Sequence, residues 1–169
     1  MATALTNLST LHGAESLSAA GLRLGIVVSE WNAEITSALL KGAVETLLRL
    51  EGEEENILIE SVPGAFELPF GAQLMARMTD VDAVICLGCV IRGETPHFDY
   101  VCQAAAQGIL EVGLQLELPV IFGVLTTDTL DQARERAGGR HGNKGVEAAL
   151  AALKMVGLAQ RMSRFEASS

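Results

Sequence analysis

Several short stretches of the chain gather residue types that can do chemistry, and each stands where an apolar run ends. Trp31-Asn32, holding the only tryptophan, follows the run Leu22 to Val28. Ala65-Phe66-Glu67 follows Asn56 to Val62 and the breaker Pro63-Gly64. Gly93-Glu94-Thr95-Pro96-His97 follows the most apolar run, Ala83 to Ile91, and Thr126-Thr127-Asp128 follows Pro119 to Leu125. Arg136 and Lys144 flank the glycine-rich Gly138-Gly139-Arg140-His141-Gly142. Trp31 and Phe66 can offer a face to a flat heterocycle, or simply pack a rim. Glu67 can accept hydrogen bonds from sugar hydroxyls, or be an acid placed in the first turn of a helix. The turn from Gly93 leads into a helix, where free N–H groups and the helix dipole favour an anion. Thr95 adds a hydroxyl donor there, although the same residues make an ordinary capped turn. His97, at the start of that helix, is a candidate proton donor and acceptor, or a surface histidine. Arg136 and Lys144 can answer a phosphate or a carbonyl, or remain solvated charges.

Other chemistries lack their parts. Neither GxxxxGK[ST] nor GxGxxG occurs, so the nucleotide phosphate loops are excluded. The histidines His12, His97 and His141 do not fall at metal-ligand spacing with the cysteines, and no metal site is expected. Cys86 and Cys89 spell CxxC inside an apolar run. Residues three apart on a strand face opposite sides of a sheet, so these thiols are expected not to pair. The odd count of three cysteines fits reduced thiols.

These residues need a frame, and the hydropathy pattern supplies one. The run Leu22 to Val28 reads as a buried strand. Asn32 is placed to cap a helix whose apolar positions Ile35, Leu39, Ala43 and Leu47 recur at helical spacing. Asn56 to Val62 is a second strand, and a helix follows from about Glu67 to Met78. Ala83 to Ile91 is the third strand. The long helix after it, to Leu116, turns Val101, Ala105, Ile109, Val112 and Leu116 inward. Pro119 to Leu125 is the fourth strand, with Thr127 or Asp128 capping a short helix to Ala137. A loop at 138–142 and a last helix, roughly Lys144 to Met162, complete the chain. Alternating strands and helices predict an α/β fold, a small parallel sheet covered by helices on both faces. In such sheets ligands bind beyond the carboxyl ends of the strands, where the unusual residues collect.

Bulk composition agrees. The 169 residues amount to one domain, with 49% apolar and 20% charged residues, which excludes a disordered or collagen-like chain. Residues 1–21 read as an arm, 22–164 as the domain and 165–169 as a tail. No apolar run reaches the ~20 residues of a membrane helix, and no signal pattern opens the chain. A net charge of −9 argues against nucleic acid or anionic membranes as partners. A soluble, cytoplasmic protein is expected. The mean hydropathy of +0.32 is high for a chain of this size, which points to subunit interfaces or to a very aliphatic core.

In combination the motifs resemble the lumazine synthase family, the 6,7-dimethyl-8-ribityllumazine synthases of riboflavin biosynthesis. The stretches that carry the resemblance are Val62 to Pro69 (VPGAFELP), Gly88 to Val101 (GCVIRGETPHFDYV), Val120 to Asp128 (VIFGVLTTD), Arg136-Ala137-Gly138 and Gly142-Asn143-Lys144-Gly145. Their order and separations fit from about Leu22 to Arg164. The resemblance implies a flavodoxin-like three-layer sandwich. It also implies the condensation of 5-amino-6-(D-ribitylamino)uracil with 3,4-dihydroxy-2-butanone 4-phosphate, without a cofactor. By family pattern Trp31 stacks on the pyrimidine, Ala65 and Glu67 hold the ribityl chain, and backbone groups of Cys89, Val90 and Ile91 meet the pyrimidine edge. Glu94 and Thr95 hold the phosphate with Arg136, and His97 is the general acid/base. Phe122 and Arg136 come from the neighbouring subunit. Phe66, Asn32 and Lys144 are additional candidates. Pro96 departs from the family pattern, which favours a small polar residue there, and Glu94 stands at a variable position; both favour a backbone role for this turn. The family forms pentamers, some closing into sixty-subunit icosahedral shells that enclose riboflavin synthase, and the short turn at 138–142 resembles the shell-forming type.

Three other readings stay open on sequence alone. An archaeal-type riboflavin synthase would turn lumazine alone into riboflavin. A shell or flavin-binding protein with little catalysis would bind ligand without turnover. A generic flavodoxin-like binding domain would need no residue from a neighbouring copy.

Overall fold

The computed structural model describes residues 16–166. The apolar runs form strands and the stretches of helical spacing form helices, in the expected order. These are β1 (Leu24–Ser29), α1 (Ala33–Arg49), β2 (Ile57–Val62), α2 (Leu68–Met78), β3 (Ala83–Ile91), α3 (His97–Leu116), β4 (Val120–Thr127), α4 (Leu130–Glu135), β5 (Ala137–Gly139), β6 (Gly142–Asn143) and α5 (Lys144–Glu166). Short 3-10 turns precede β2 (Glu54–Asn56) and α2 (Ala65–Glu67).

Strands β1 to β4 make one parallel sheet in the order β2-β1-β3-β4. The two inner strands are the apolar ones, since each is covered on both faces; all six residues of β1 are buried. Alternation then splits the core. Ile26, Val28, Ile85, Leu87, Cys89 and Leu125 face α1 and α5, with Ile35, Leu39, Ala43 and Leu47 of α1 all buried against them. Val27, Val84, Cys86 and Val124 face the opposite way, onto α2 and α3 with Leu68, Ala72 and Ile109. Cys86 and Cys89 therefore lie on opposite faces, and both are free thiols. The α/β class and the flavodoxin-like order follow: the chain leaves β1 for β2 on one side, then returns past β1 to lay down β3. The gap between the ends of β1 and β3 is a topological switch point.

The structure corrects some details. Asn32 stands at the cap position of α1, but in the left-handed region (φ 60°), and its side chain makes no cap bond. The short helix α4 is capped by Thr129, whose hydroxyl accepts from the Gln132 N–H, rather than by Thr127 or Asp128. Strand β4 runs two residues further than its apolar stretch, which pushes the cap along. The segment expected as a loop holds an antiparallel pair, β5 with β6, made with Gly138 and Gly142 at positive φ. Helix α5 continues to Glu166 rather than Met162. Within the expected arm, Ala19 is fully buried and its N–H donates to the Leu50 carbonyl (2.7 Å), so the packed domain begins before Leu22. The rest of the arm, residues 1–15, and residues 167–169 of the tail lie outside the described residues. No helix among the described residues is long and apolar enough to cross a membrane.

Candidate active site

Past the last rung of the β1–β2 ladder the pairing continues: Glu30 N–H donates to the Val62 carbonyl (2.8 Å) and Trp31 N–H to the Pro63 carbonyl (3.1 Å). Trp31 is thereby set down beside Gly64. A Cβ on Gly64 would lie 2.7 Å from a carbon of the indole, so the ring rests against bare backbone while remaining 65% exposed. The Gly64 N–H in turn donates to Glu67 Oε2 (3.0 Å), which orients that carboxylate beside the ring. On the other side Asn32 Nδ2 donates to the Cys89 carbonyl (2.8 Å), spanning the switch point from β1 to β3. Ala65 is buried beneath, and Phe66 is exposed. The Cys89 side chain is buried toward α1 and α5, leaving its backbone to face the site, and Val90 and Ile91 are half-buried. The structure thus brings Trp31, Asn32, Ala65, Glu67 and Cys89 together.

The second part of the site is the turn between β3 and α3. Every side chain from Gly93 to His97, including Glu94 and Thr95, is exposed, and His97 is the first residue of α3. Arg92 anchors this turn. Its N–H donates to the Thr127 carbonyl (2.9 Å), its guanidinium pairs with Asp128 (2.8 Å) and Asp99 (3.2 Å), and it lies over the Phe98 ring at 4.1 Å. The hydrogen bonds that Arg92 donates to Asp128 and then Asp99 hold its guanidinium above its ordinary pKa.

The third part lies along the β4 edge, where Phe122, Thr127, Arg136, His141 and Lys144 line a cavity of about 730 Å³. Arg136 Nη2 pairs with Glu147 (3.1 Å) and its Nη1 donates to the His141 carbonyl (3.2 Å); Lys144 Nζ pairs with the same Glu147 (3.1 Å). Two cations share one largely buried carboxylate, and elsewhere in the lining Arg140 pairs with Glu135 (3.1 Å) and Asp131 with Arg134 (3.0 Å), so the excess positive charge is local to Arg136 and Lys144. Arg134, bonded to Glu34 (2.7 Å), ties the short helix α4 to α1 and so fixes the approach to Arg136. Phe122 is not carried to the strand ends. It is in register with Cys86, three residues before Cys89, which sets it ~10 Å back along the sheet at ~3.3 Å per residue. Among the described residues no group of three or more His, Cys, Asp or Glu could hold a metal ion.

Sequence reasoning gave no place to Arg92, Asp99 or Glu147, each of which fixes a candidate residue. The available signal was modest: Arg92 is the first charged residue after the apolar β3, and Glu147 is three residues after Lys144 on a helix.

A parallel sheet with an aromatic face at its switch point, a helix N-terminus beside it and a cationic corner on its edge defines a flavodoxin-like α/β protein with a small-molecule site. The sequence pattern of the 6,7-dimethyl-8-ribityllumazine synthase family matches residues 21–160. The chain is similar to the enzyme of that name from Porphyromonas gingivalis, 54% identical over 158 residues, which span 94% of this chain and 98% of the relative. It is similar also to those of Cytophaga hutchinsonii (56% over 156 residues, 92% and 98%) and Thermus thermophilus (52% over 148 residues, 88% and 94%). The chain belongs to the 6,7-dimethyl-8-ribityllumazine synthase family.

Proposed function

We propose that this protein condenses 5-amino-6-(D-ribitylamino)uracil with 3,4-dihydroxy-2-butanone 4-phosphate to give 6,7-dimethyl-8-ribityllumazine, phosphate and water. Family membership supports the reaction. The geometric observation that carries it is the open Trp31 ring, braced on Gly64 between the Glu67 carboxylate and the Asn32–Cys89 bond. The pyrimidine stacks on Trp31, with Phe66 at its rim; backbone groups of Cys89 to Ile91 meet its polar edge, and Ala65 and Glu67 receive the ribityl hydroxyls. The phosphate of the second substrate takes the N-terminus of α3 at Glu94 and Thr95. The pyrimidine amine attacks the butanone carbonyl and the imine forms with loss of water. Phosphate leaves by elimination, the chain tautomerises, and ring closure releases a second water. Each step moves a proton, and His97, at the phosphate end, exchanges it. Holding two reactants in register supplies up to ~7–11 kcal/mol of the acceleration.

One chain carries only part of this site, because Phe122 stands back on the edge strand and Arg136 is held in the corner with Lys144. Their place is in a neighbouring copy's pocket. Two unlike apolar surfaces support such an assembly. Phe70, Leu74 and Met78 form an exposed stripe on α2 beside β2, whereas Leu110, Leu114, Met155 and Met162 are exposed on α3 and α5 near β4. Unlike patches on opposite edges of one sheet favour head-to-tail association, which closes into a ring. We read the ring as a pentamer that builds a sixty-subunit shell in the cytoplasm, able to enclose riboflavin synthase.

Incubation with both substrates, followed by lumazine fluorescence, tests the reaction. Product that requires both substrates supports it; riboflavin formed from lumazine alone, or no turnover, defeats it. Light scattering that gives only a single subunit defeats the assembly.

A further inference from the structure

We infer that Arg92 is a positioning residue for this reaction, clamping the turn at 93–96 and the first turn of α3 so that Thr95 and His97 stand where the substrate needs them. The inference rests on the reading of that turn as the phosphate end of the site. Three partners, from the end of β4 and the start of α3, meet on this one side chain. Its Nε donates to Asp128 (2.8 Å), beyond the end of β4; its terminal nitrogens pair with Asp99 (3.2 Å), in the first turn of α3; and its plane covers Phe98 (4.1 Å), the neighbour of His97. The Arg92 N–H adds a backbone tie to Thr127.

The turn has little else to hold it. None of its side chains is buried, and a Cβ added to Gly93 would meet no atom within 4 Å. Apolar packing therefore does not fix its position, and the planar, forked guanidinium does. Arg92 is not itself a phosphate ligand. Two carboxylates already face its one positive charge, and a cluster with net charge −1 does not attract an anion. Its effect passes through the turn it holds. Lysine, a point charge without a planar face, cannot make the stacked and forked contacts together.

The test is steady-state kinetics of Arg92→Ala, Arg92→Lys, Asp128→Asn and Thr95→Ala in the assembled enzyme, with inorganic phosphate as a competing ligand and thermal unfolding alongside. Arg92→Ala is expected to raise both the KM for the butanone phosphate and the inhibition constant of phosphate ten- to hundredfold, about what a 1 Å misplacement costs. The KM for the pyrimidine stays unchanged. Arg92→Lys recovers only part, and adding Asp128→Asn to Arg92→Ala costs little more, because both break one clamp. Should Arg92→Ala not fold, Asp128→Asn alone carries the same comparison of the two substrates. Wild-type values for the phosphorylated substrate in these variants would overturn the inference, as would equal losses for both substrates tracking a lower unfolding temperature. Thr95→Ala, with Thr95→Pro to remove the backbone N–H at the same position, separates the two levels. If both leave the phosphate readouts unchanged, the reading of the turn fails and the inference with it; if either raises them while Arg92→Ala does not, only the role of Arg92 falls.

Discussion

Asn32 and Cys89 are joined across the switch point by a single hydrogen bond, from the Asn32 amide nitrogen to the Cys89 carbonyl at 2.8 Å. Asn32 adopts φ 60°, a region that asparagine tolerates better than most residues. Asn32→Gly keeps the backbone and loses the bond; Asn32→Ala loses both. Urea unfolding is expected to show a loss of ~1 kcal/mol for the glycine variant and more for the alanine variant. Both variants should raise the KM for the pyrimidine, since the bond fixes the strand end proposed to meet its edge.

Gly64→Ala inserts a methyl where the Trp31 ring lies, 2.7 Å away. The ring must tilt or leave. Because Trp31 is the only tryptophan, its emission reports this directly. The expected result is a shifted emission maximum together with weaker binding of the lumazine product; an unchanged spectrum with full affinity would remove Gly64 as the backing of the ring.

His97→Ala is expected to slow turnover by ~10²–10⁴-fold without abolishing it, because register between the reactants remains. Arg136→Ala should act mainly on the KM for the phosphorylated substrate. Single-turnover measurements with saturating pyrimidine distinguish the two effects.

The buried thiols make stability depend on alkaline pH. Burial pushes Cys86 from an ordinary 9.0 up to about 12, and Cys89 up to about 11. Above about pH 9 the unfolded chain releases these protons while the folded chain keeps them. Stability is therefore unaffected below that pH and falls as pH rises toward the folded values, with a slope of ~1.4 kcal/mol per pH unit for each thiol. Unfolding titrations at several pH values check the slope, and Cys86→Ala should remove its share. At pH 8, alkylation of the native protein should reach half-buried Cys102 and spare Cys86.

The contrast between what the sequence revealed and what it did not has physical causes. The sheet and its helices were legible because α1 repeats Ile35, Leu39, Ala43 and Leu47 and because β1 and β3 are apolar throughout. That Trp31, Asn32, Ala65, Glu67 and Cys89 come together was legible because each follows or ends a neighbouring strand of one parallel sheet. Phe122 was not legible by that rule, since it lies inside a strand, and only the resemblance singled it out. Asn32 misled, because a favoured cap residue was diverted to a carbonyl on another strand. Arg92 meets Asp99 and Asp128, and Arg136 meets Glu147, across turns between different elements, so no periodicity within one helix or strand reveals the pairs. The pair β5 and β6 is too short, at three and two residues, to show an alternating pattern.

The setback of Phe122 on its edge strand has a genetic counterpart. In the proposed ring of shared pockets, a chain bearing Trp31→Ala still lends an intact Phe122 to its neighbour, and a chain bearing Phe122→Ala still keeps its own Trp31. Each variant alone makes only crippled pockets, yet the two co-assembled from unfolded chains must regenerate a fraction of whole ones. Two dead alleles of this protein should mend one another.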